Sequence, residues 1–165
     1  MIKHLLALAL LATPAAAEEF SDALDLMGEQ CVDGLMRDLR AGPAGMFPAD
    51  PRTSEVVLGD NLGRAWRSEA GNIVVYDLDQ MPVCGVLAAD FNVGQARAAL
   101  APWARGWQLI EAPEEGGTRR FVRRYSDAEV LMVFVATSDN PQLVEMTGRI
   151  LPANDWTNRI LAGGN

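Results

Sequence analysis

The chain has 165 residues, with 22 acidic and 14 basic side chains and a formal net charge of −8. That length is normal for one domain with a substantial core. An acidic chain repels nucleic acid and anionic membrane surfaces, so its charge argues against both as partners. The charge either favours cationic partners or serves only to keep the protein soluble.

Residues 1–17 have the three-part pattern of a cleaved secretory signal peptide. A short positive start precedes the apolar run Leu5–Leu11, and Ala15–Ala17 form an A-x-A cleavage site. The apolar run is too short to cross a bilayer, which needs about 20 residues. We therefore expect cleavage after residue 17, a single globular domain over 18–165, and a periplasmic or secreted protein without membrane insertion.

Cys31 and Cys84 are the two cysteines of the chain. In an exported protein the simplest arrangement is one disulfide between them, which would close a loop of about 50 residues and add about 2–4 kcal/mol of stability. The alternative is a reactive thiol pair. It is disfavoured because there is no C-x-x-C motif, and neither cysteine has a basic sequence neighbour that would activate it as a thiolate.

The first element is predicted to be an amphipathic helix over 18–40. Its apolar face consists of Phe20, Leu24, Met27, Cys31 and Leu35. A parallel acidic stripe consists of Asp22, Asp25, Glu29 and Asp33. Such a row of charges is more often a solvated face than a site. Because Cys31 is on the apolar face, the disulfide would attach this helix to the element that carries Cys84.

A loop rich in Gly, Pro and Ala is predicted at 41–55. Two to four strands are predicted after it: 72–78 and 83–89, with 56–58 and 63–67 as the two further candidates. The strands 72–78 and 83–89 form the clearest hairpin, because the turn Asp79–Pro82 separates two runs with strand composition. Cys84 lies in the second of them, so the disulfide would join the first helix to the sheet.

Asn92 is a suitable N-cap for a second helix, which ends at Gly106. Three or four more strands are predicted, from the segments 107–111, 118–125, 129–137 and 143–151. Their short connections favour antiparallel neighbours. The predicted fold class is therefore α+β, with a single antiparallel sheet of about five to seven strands and both helices packed on one face. The tail 152–165 is predicted to be a docked helical turn or a frayed end.

The chemistry open to the exported chain is narrow. Lys3 and His4 are the only lysine and histidine, and both would leave with the signal peptide. Their loss excludes histidine-based nucleophilic systems, histidine zinc sites and lysine Schiff-base or pyridoxal chemistry. A disulfide would remove thiol chemistry as well. We accordingly assign no catalytic residue, no metal and no cofactor.

Three carboxylates at strand ends are the best candidates for an enzyme. Asp77 and Asp79 are two residues apart and therefore point to the same side, and Asp90, which follows the partner strand of the hairpin, is expected nearby. Such groups could hold Ca²⁺ or act as the acid and nucleophile of a glycosidase. Aspartates at strand ends are more often solvated turn residues, and the loop pattern of an EF-hand is absent.

The sharpest local feature is the sequence RRFVRRY at 119–125. Alternate side chains of a strand share a face. One face would therefore carry Arg119, Phe121, Arg123 and Tyr125. If exposed, that candidate binding surface suits a carboxylate or phosphate ligand or a protein partner. The alternative is that the arginines pair across strands with acids such as Glu111 and Glu129.

These observations favour a small, exported, non-catalytic binding or accessory protein. Its partner would be an unknown protein or small ligand of the cell envelope. One specific form is an acidic inhibitor or adaptor of a cationic envelope protein, because opposite charges accelerate encounter. The alternative function is a carboxylate-based hydrolase that acts on envelope glycans.

Overall fold

Eight strands form one antiparallel sheet in the computed structural model, which describes residues 19–37, 42–139 and 142–163. The strands are β1 (Phe47–Pro48), β2 (Gly63–Arg67), β3 (Ile73–Leu78), β4 (Val83–Ala89), β5 (Ile110–Glu115), β6 (Thr118–Arg124), β7 (Glu129–Asp139) and β8 (Gln142–Pro152). Their order across the sheet is β1-β2-β3-β4-β8-β7-β6-β5. Two four-stranded meanders therefore meet where β4 pairs with β8. The α+β class is confirmed, and the predicted five to seven strands are corrected to eight.

Four helical segments complete the described part of the chain. The first comprises α1 (Phe20–Leu26), a π-helical stretch (Met27–Val32) and α2 (Asp33–Arg37), which together we call the N-terminal helix. The others are α3 (Pro51–Leu58), α4 (Val93–Gly106) and α5 (Asp155–Leu161). None of the helices in these described ranges is long and apolar enough to span a bilayer. The predicted signal peptide, 1–17, and the predicted end of the first helix, 38–40, lie outside the described residues.

The helices divide between the two faces of the sheet. The N-terminal helix and α4 share the largest buried cluster, on one face. On the other face, α3 packs over β2 and β3, and α5 packs over β5 and β6. Phe121 and Val122, which are neighbours in β6, are both 0% exposed, so the sheet is buried on both faces there.

Helix α3 replaces the strand predicted at 56–58. The Asp50 side chain caps this helix by accepting hydrogen bonds from the backbone N–H groups of Arg52 and Thr53, each at 3.1 Å. Pro51 occupies the first helical position, where its fixed backbone angle is favourable. These capping signals outweigh the β-branched run that suggested a strand, and Val56 is 73% exposed.

The extra strand, β1, lies in the segment predicted as a loop. It pairs with the end of β2, where Phe47 is opposite Arg67.

The hairpin predicted at 72–89 is confirmed, because β3 and β4 occur within a residue of the expected bounds. In the tail predicted to be a docked helical turn or a frayed end, Asn154 and Thr157 form a reciprocal capping box that begins helix α5.

The predicted disulfide is present. Cys31 and Cys84 are bonded, with Cα atoms 5.2 Å apart, within the usual range for a disulfide. The bond joins the π-helical stretch of the N-terminal helix to β4. Both cysteines are in the main core, at 0% and 4% exposure.

Candidate functional site

A pocket of about 310 Å³ opens between the N-terminal helix and the β3–β4 hairpin, and we call it the hairpin pocket. Its apolar lining includes Leu35, Trp66, Val75, Met81 and Val83. Its polar lining includes Gln30, Arg64, Asp77, Asp79 and Gln80. Cys84 also contributes to the lining, so the disulfide lies directly at the pocket.

Strand register explains why charged and aromatic side chains meet here. In the β2–β3 ladder, Arg64 is opposite Asp77 and Trp66 is opposite Val75. Residues two apart on a strand point to the same face, and opposed residues share that face. All four therefore face the N-terminal helix. Gly34 of that helix also lines the pocket.

An arginine bridges two carboxylates at the pocket mouth. The Arg64 Nη2 donates to Asp77 Oδ2 at 2.7 Å, and Arg64 Nε donates to Asp77 Oδ1 at 3.3 Å. The same Nε is 3.9 Å from Asp79 Oδ1. The guanidinium also lies 5.7 Å from the centroid of the Trp66 ring. Asp77 is thus held by two hydrogen bonds, whereas Asp79 is 52% exposed and only loosely engaged.

Asp90 does not join these carboxylates. Asp77 is opposite Cys84 near the start of β4, whereas Asp90 follows the end of that strand. Six residues of extended chain separate Cys84 from Asp90, which is about 20 Å. The expectation that Asp90 lies near Asp77 and Asp79 is therefore wrong, because the two strands of a hairpin run in opposite directions. Within the described ranges, no group of three or more acidic or cysteine side chains could hold a metal ion.

The arginine-rich strand has the predicted alternation on β6, but one aromatic member is buried. Phe121 is 0% exposed and packs edge-to-face on Trp103 of α4, with ring centroids 6.3 Å apart. Phe121 therefore offers no exposed ring. Tyr125 follows the strand and is half-buried. The shared face of β6 is the face that α4 covers, which is why its central aromatic residue belongs to the core.

The arginines of that face have partners within the protein. Arg119 forms an ion pair with Glu111 at 2.6 Å and donates to the Arg97 carbonyl at 2.8 Å. The Arg119–Glu111 pair matches the alternative of cross-strand pairing. Arg123 donates to the Trp107 carbonyl at 3.4 Å. The structure does not gather the four predicted residues into one open surface.

The acidic stripe of the N-terminal helix borders a separate groove of about 360 Å³. Asp22, Asp25 and Glu29 are exposed there, and Glu69 lies on the opposite wall. The Asp22 carboxylate also accepts a hydrogen bond from the Glu19 N–H at 2.8 Å, which helps to cap α1. This groove adds to the negative field on the same side of the sheet as the hairpin pocket.

The opposite face of the sheet has a shallow depression of about 270 Å³ between α3 and α5. Next to it, the Tyr76 hydroxyl lies 3.2 Å from Thr147 Oγ1 and donates to Glu145 Oε1 at 3.4 Å. Burial raises the pKa of Tyr76 above its ordinary value of 10.0, and the nearby Glu145 charge adds to the increase. The Thr147 hydroxyl partly opposes this effect on the pKa.

Comparison of the chain with models of known protein families, with curated proteins and with solved structures finds no match.

Sequence reasoning recognised the hairpin and its two aspartates but missed Arg64, Trp66 and Gln30 as their neighbours. The β2–β3 register was the missing information, because it places Arg64 opposite Asp77. One available signal was the two-residue spacing of Arg64 and Trp66 on a predicted strand, which puts a cation and an aromatic ring on one face.

Proposed function

We propose that this chain is an exported, non-catalytic binding protein that holds part of a cell-envelope protein in the hairpin pocket, as an adaptor or inhibitor. The observation that carries the proposal is the pocket itself. Its volume of about 310 Å³ falls at the lower end of the range for ligand sites, about 300–1,000 Å³. Apolar walls with a few polar groups at the mouth are the usual composition of such sites.

The construction of the pocket supports this role. Most of its lining belongs to the N-terminal helix and to strands β2, β3 and β4, and Pro43 and the turn Asp79–Pro82 complete it. The Cys31–Cys84 bond joins the helix to the sheet beside the pocket. A site whose walls are fixed before binding loses less conformational freedom when the ligand enters. Gln30, which lines the pocket, lies in the π-helical stretch. Short π-helical stretches frequently occur at functional sites.

Charge supports a cationic partner. The chain carries a net charge of −8, and the described residues at the mouth of the pocket include two carboxylates and one guanidinium. A negative field accelerates encounter with a positively charged protein and loses strength as salt is added. The signal-peptide pattern supports an encounter in the periplasm or outside the cell.

We do not propose the alternative, a glycan hydrolase. Such an enzyme needs two carboxyl groups about 5–10 Å apart on either side of the scissile bond. Arg64 bridges Asp77 and Asp79 instead, and Asp90 lies at the other end of β4. The carboxylates of the hairpin pocket are arranged to orient an arginine and to present one exposed acid.

The test is affinity capture from periplasmic extract with three forms of the protein, at low and high salt. Gln30→Trp fills the pocket from its helical wall, and Gln95→Trp makes the same change on the exposed side of α4. We expect the wild type and Gln95→Trp to retain a stoichiometric partner at low salt, and Gln30→Trp to lose it. Equal capture by Gln30→Trp, or no partner at either salt, would contradict the proposal.

A further inference from the structure

We infer that the hairpin pocket binds a basic side chain of its protein partner, with the ammonium or guanidinium group at Asp79 and the apolar stem against Trp66 and Met81. This inference rests on the proposed function, because it names the chemistry of the group that the same pocket would hold. It names Asp79 as the acceptor and Trp66 and Met81 as the apolar wall, and it specifies a preference for positively charged ligands that binding measurements can test.

Asp79 is the available acceptor. Its carboxylate is 52% exposed, and its nearest contact with Arg64 is 3.9 Å, beyond hydrogen-bond distance. Asp77, by contrast, is 22% exposed and already accepts two hydrogen bonds from Arg64. A carboxylate oxygen accepts several hydrogen bonds, and those from a cation are the stronger kind. A basic group at Asp79 would therefore gain a charge-assisted bond without disturbing the Arg64–Asp77 pair.

The walls fit the stem of such a side chain. Trp66 and Leu35 lie within the pocket, and Met81 at its rim is 46% exposed. Lysine and arginine side chains place their methylene groups along apolar surfaces while the charged end stays near water. Methionine adapts its shape to such a stem because its side chain is unbranched and flexible.

Anionic and neutral ligands fit less well. An anion would have to compete with Asp77 for Arg64, and it would meet the Asp79 charge in a protein whose net charge is −8. A neutral ligand would cover Asp79 without supplying a donor of matching charge, and withdrawing a charge from water without pairing it is unfavourable. Among the described residues of the mouth, a cation would give a closer partner to Asp79, the carboxylate that Arg64 contacts less closely.

Three probes of one shape separate these classes. Benzamidine, benzyl alcohol and benzoate carry a positive, a neutral and a negative group on the same ring. We expect benzamidine to bind most tightly, and Gln30→Trp to abolish its binding while Gln95→Trp leaves it unchanged. Asp79→Asn should weaken benzamidine by about tenfold, as expected for loss of a charge-assisted hydrogen bond at a partly exposed site. Asp127→Asn, an exposed change in another turn, serves as its control.

Two peptides test whether the pocket accepts a basic side chain on a peptide backbone. One is acetyl-Leu-Arg-Leu amide, and in the other citrulline, a neutral isostere, replaces arginine. We expect the arginine peptide to bind about tenfold more tightly than the analogue, and Asp79→Asn to remove the difference. Binding of benzamidine but not of the arginine peptide would overturn the assignment to a protein side chain.

The outcomes also separate this inference from the proposed function. If benzyl alcohol or benzoate binds as tightly as benzamidine and Gln30→Trp still abolishes binding, the pocket is a binding site but the basic preference is wrong. If Gln30→Trp leaves both partner capture and benzamidine binding intact, the proposed function itself fails. Absence of benzamidine binding at millimolar concentration would overturn the charge assignment alone, because partner capture by Gln30→Trp is measured independently.

Discussion

Cys31 and Cys84 join the N-terminal helix to β4 at the edge of the hairpin pocket, with Cα atoms 5.2 Å apart. The bond attaches the wall that carries Gln30 to the strand that pairs with Asp77. It therefore fixes the distance between the two sides of the candidate site. Fold stability and pocket geometry depend on the same covalent link.

Removing that bond should destabilise the protein and weaken the pocket together. For the Cys31→Ala, Cys84→Ala double variant we expect a loss of about 2–4 kcal/mol in the free energy of unfolding, because the unfolded chain regains the freedom that the cross-link removed. Urea unfolding followed by circular dichroism measures this loss. Benzamidine affinity should fall as well. A double variant as stable as the wild type would show that packing alone holds the helix on the sheet.

Gly28 should tolerate no side chain. A Cβ at this position would lie 2.2 Å from ring atoms of Trp107, so the ring or the helix would have to shift. We expect Gly28→Ala to destabilise the protein by about 1–3 kcal/mol through overpacking. Gly106→Ala is the matched control, since a Cβ there meets no atom within 4 Å. The control should be neutral or stabilising, by up to about 1 kcal/mol. If both substitutions change the free energy of unfolding in the same direction, the clash expected between a Cβ at position 28 and Trp107 is contradicted.

Alkaline pH should destabilise the fold through Tyr76. Burial raises the pKa of Tyr76 in the folded protein above 10.0, the ordinary value expected in the unfolded chain. The folded state then holds the phenol proton more tightly, so this contribution to stability is complete below pH 10 and disappears as pH rises through the folded-state pKa.

The variant Tyr76→Phe should lose that alkaline dependence. At pH 7 it should also be less stable by about 0.5–1.5 kcal/mol, because the hydrogen bonds to Thr147 and Glu145 are removed. Tyr125→Phe is the control, which should keep the alkaline dependence. Thermal unfolding between pH 7 and 11 distinguishes the variants, and an unchanged slope in Tyr76→Phe would rule out its assigned role.

The arginine-rich strand should matter chiefly for stability. Phe121 is 0% exposed and packs against Trp103, so Phe121→Ala should cost about 3–5 kcal/mol. Arg124 is exposed, and its side chain donates to the exposed Asn158 amide oxygen at 2.9 Å, so Arg124→Ala should change stability by no more than about 0.5 kcal/mol. If denaturant midpoints for the two variants are similar, Phe121 is not a core residue.

Local signals in the sequence were sufficient for much of the fold. The 3.6-residue periodicity identified the N-terminal helix, and the turn Asp79–Pro82 identified the β3–β4 hairpin. The pairing of Cys31 with Cys84 followed from their number and is confirmed. The error at α3 arose because three apolar β-branched or aliphatic residues suggested a strand, whereas the Asp50–Pro51 cap specifies a helix.

The candidate site was harder to predict because it depends on contacts between distant parts of the chain. The meeting of Arg64 with Asp77 requires the β2–β3 register, and the Gln30 wall requires the docking angle of the helix. Which face of β6 is covered depends on where α4 crosses the sheet, so the pattern of alternation alone did not reveal that Phe121 is buried. Sequence periodicity assigns residues to faces but does not say which face is open.

The most direct test of the central claim is a nuclear magnetic resonance titration of ¹⁵N-labelled protein with acetyl-Leu-Arg-Leu amide. We predict shift changes at the Trp66 indole and at the backbone amides of Gln30, Gln80 and Met81, with none at the Trp156 indole, which lies on the opposite face. The changes should be absent in Gln30→Trp and much smaller in Asp79→Asn. Changes confined to the opposite face, or unaffected by either substitution, would contradict the assignment of the hairpin pocket as the binding site.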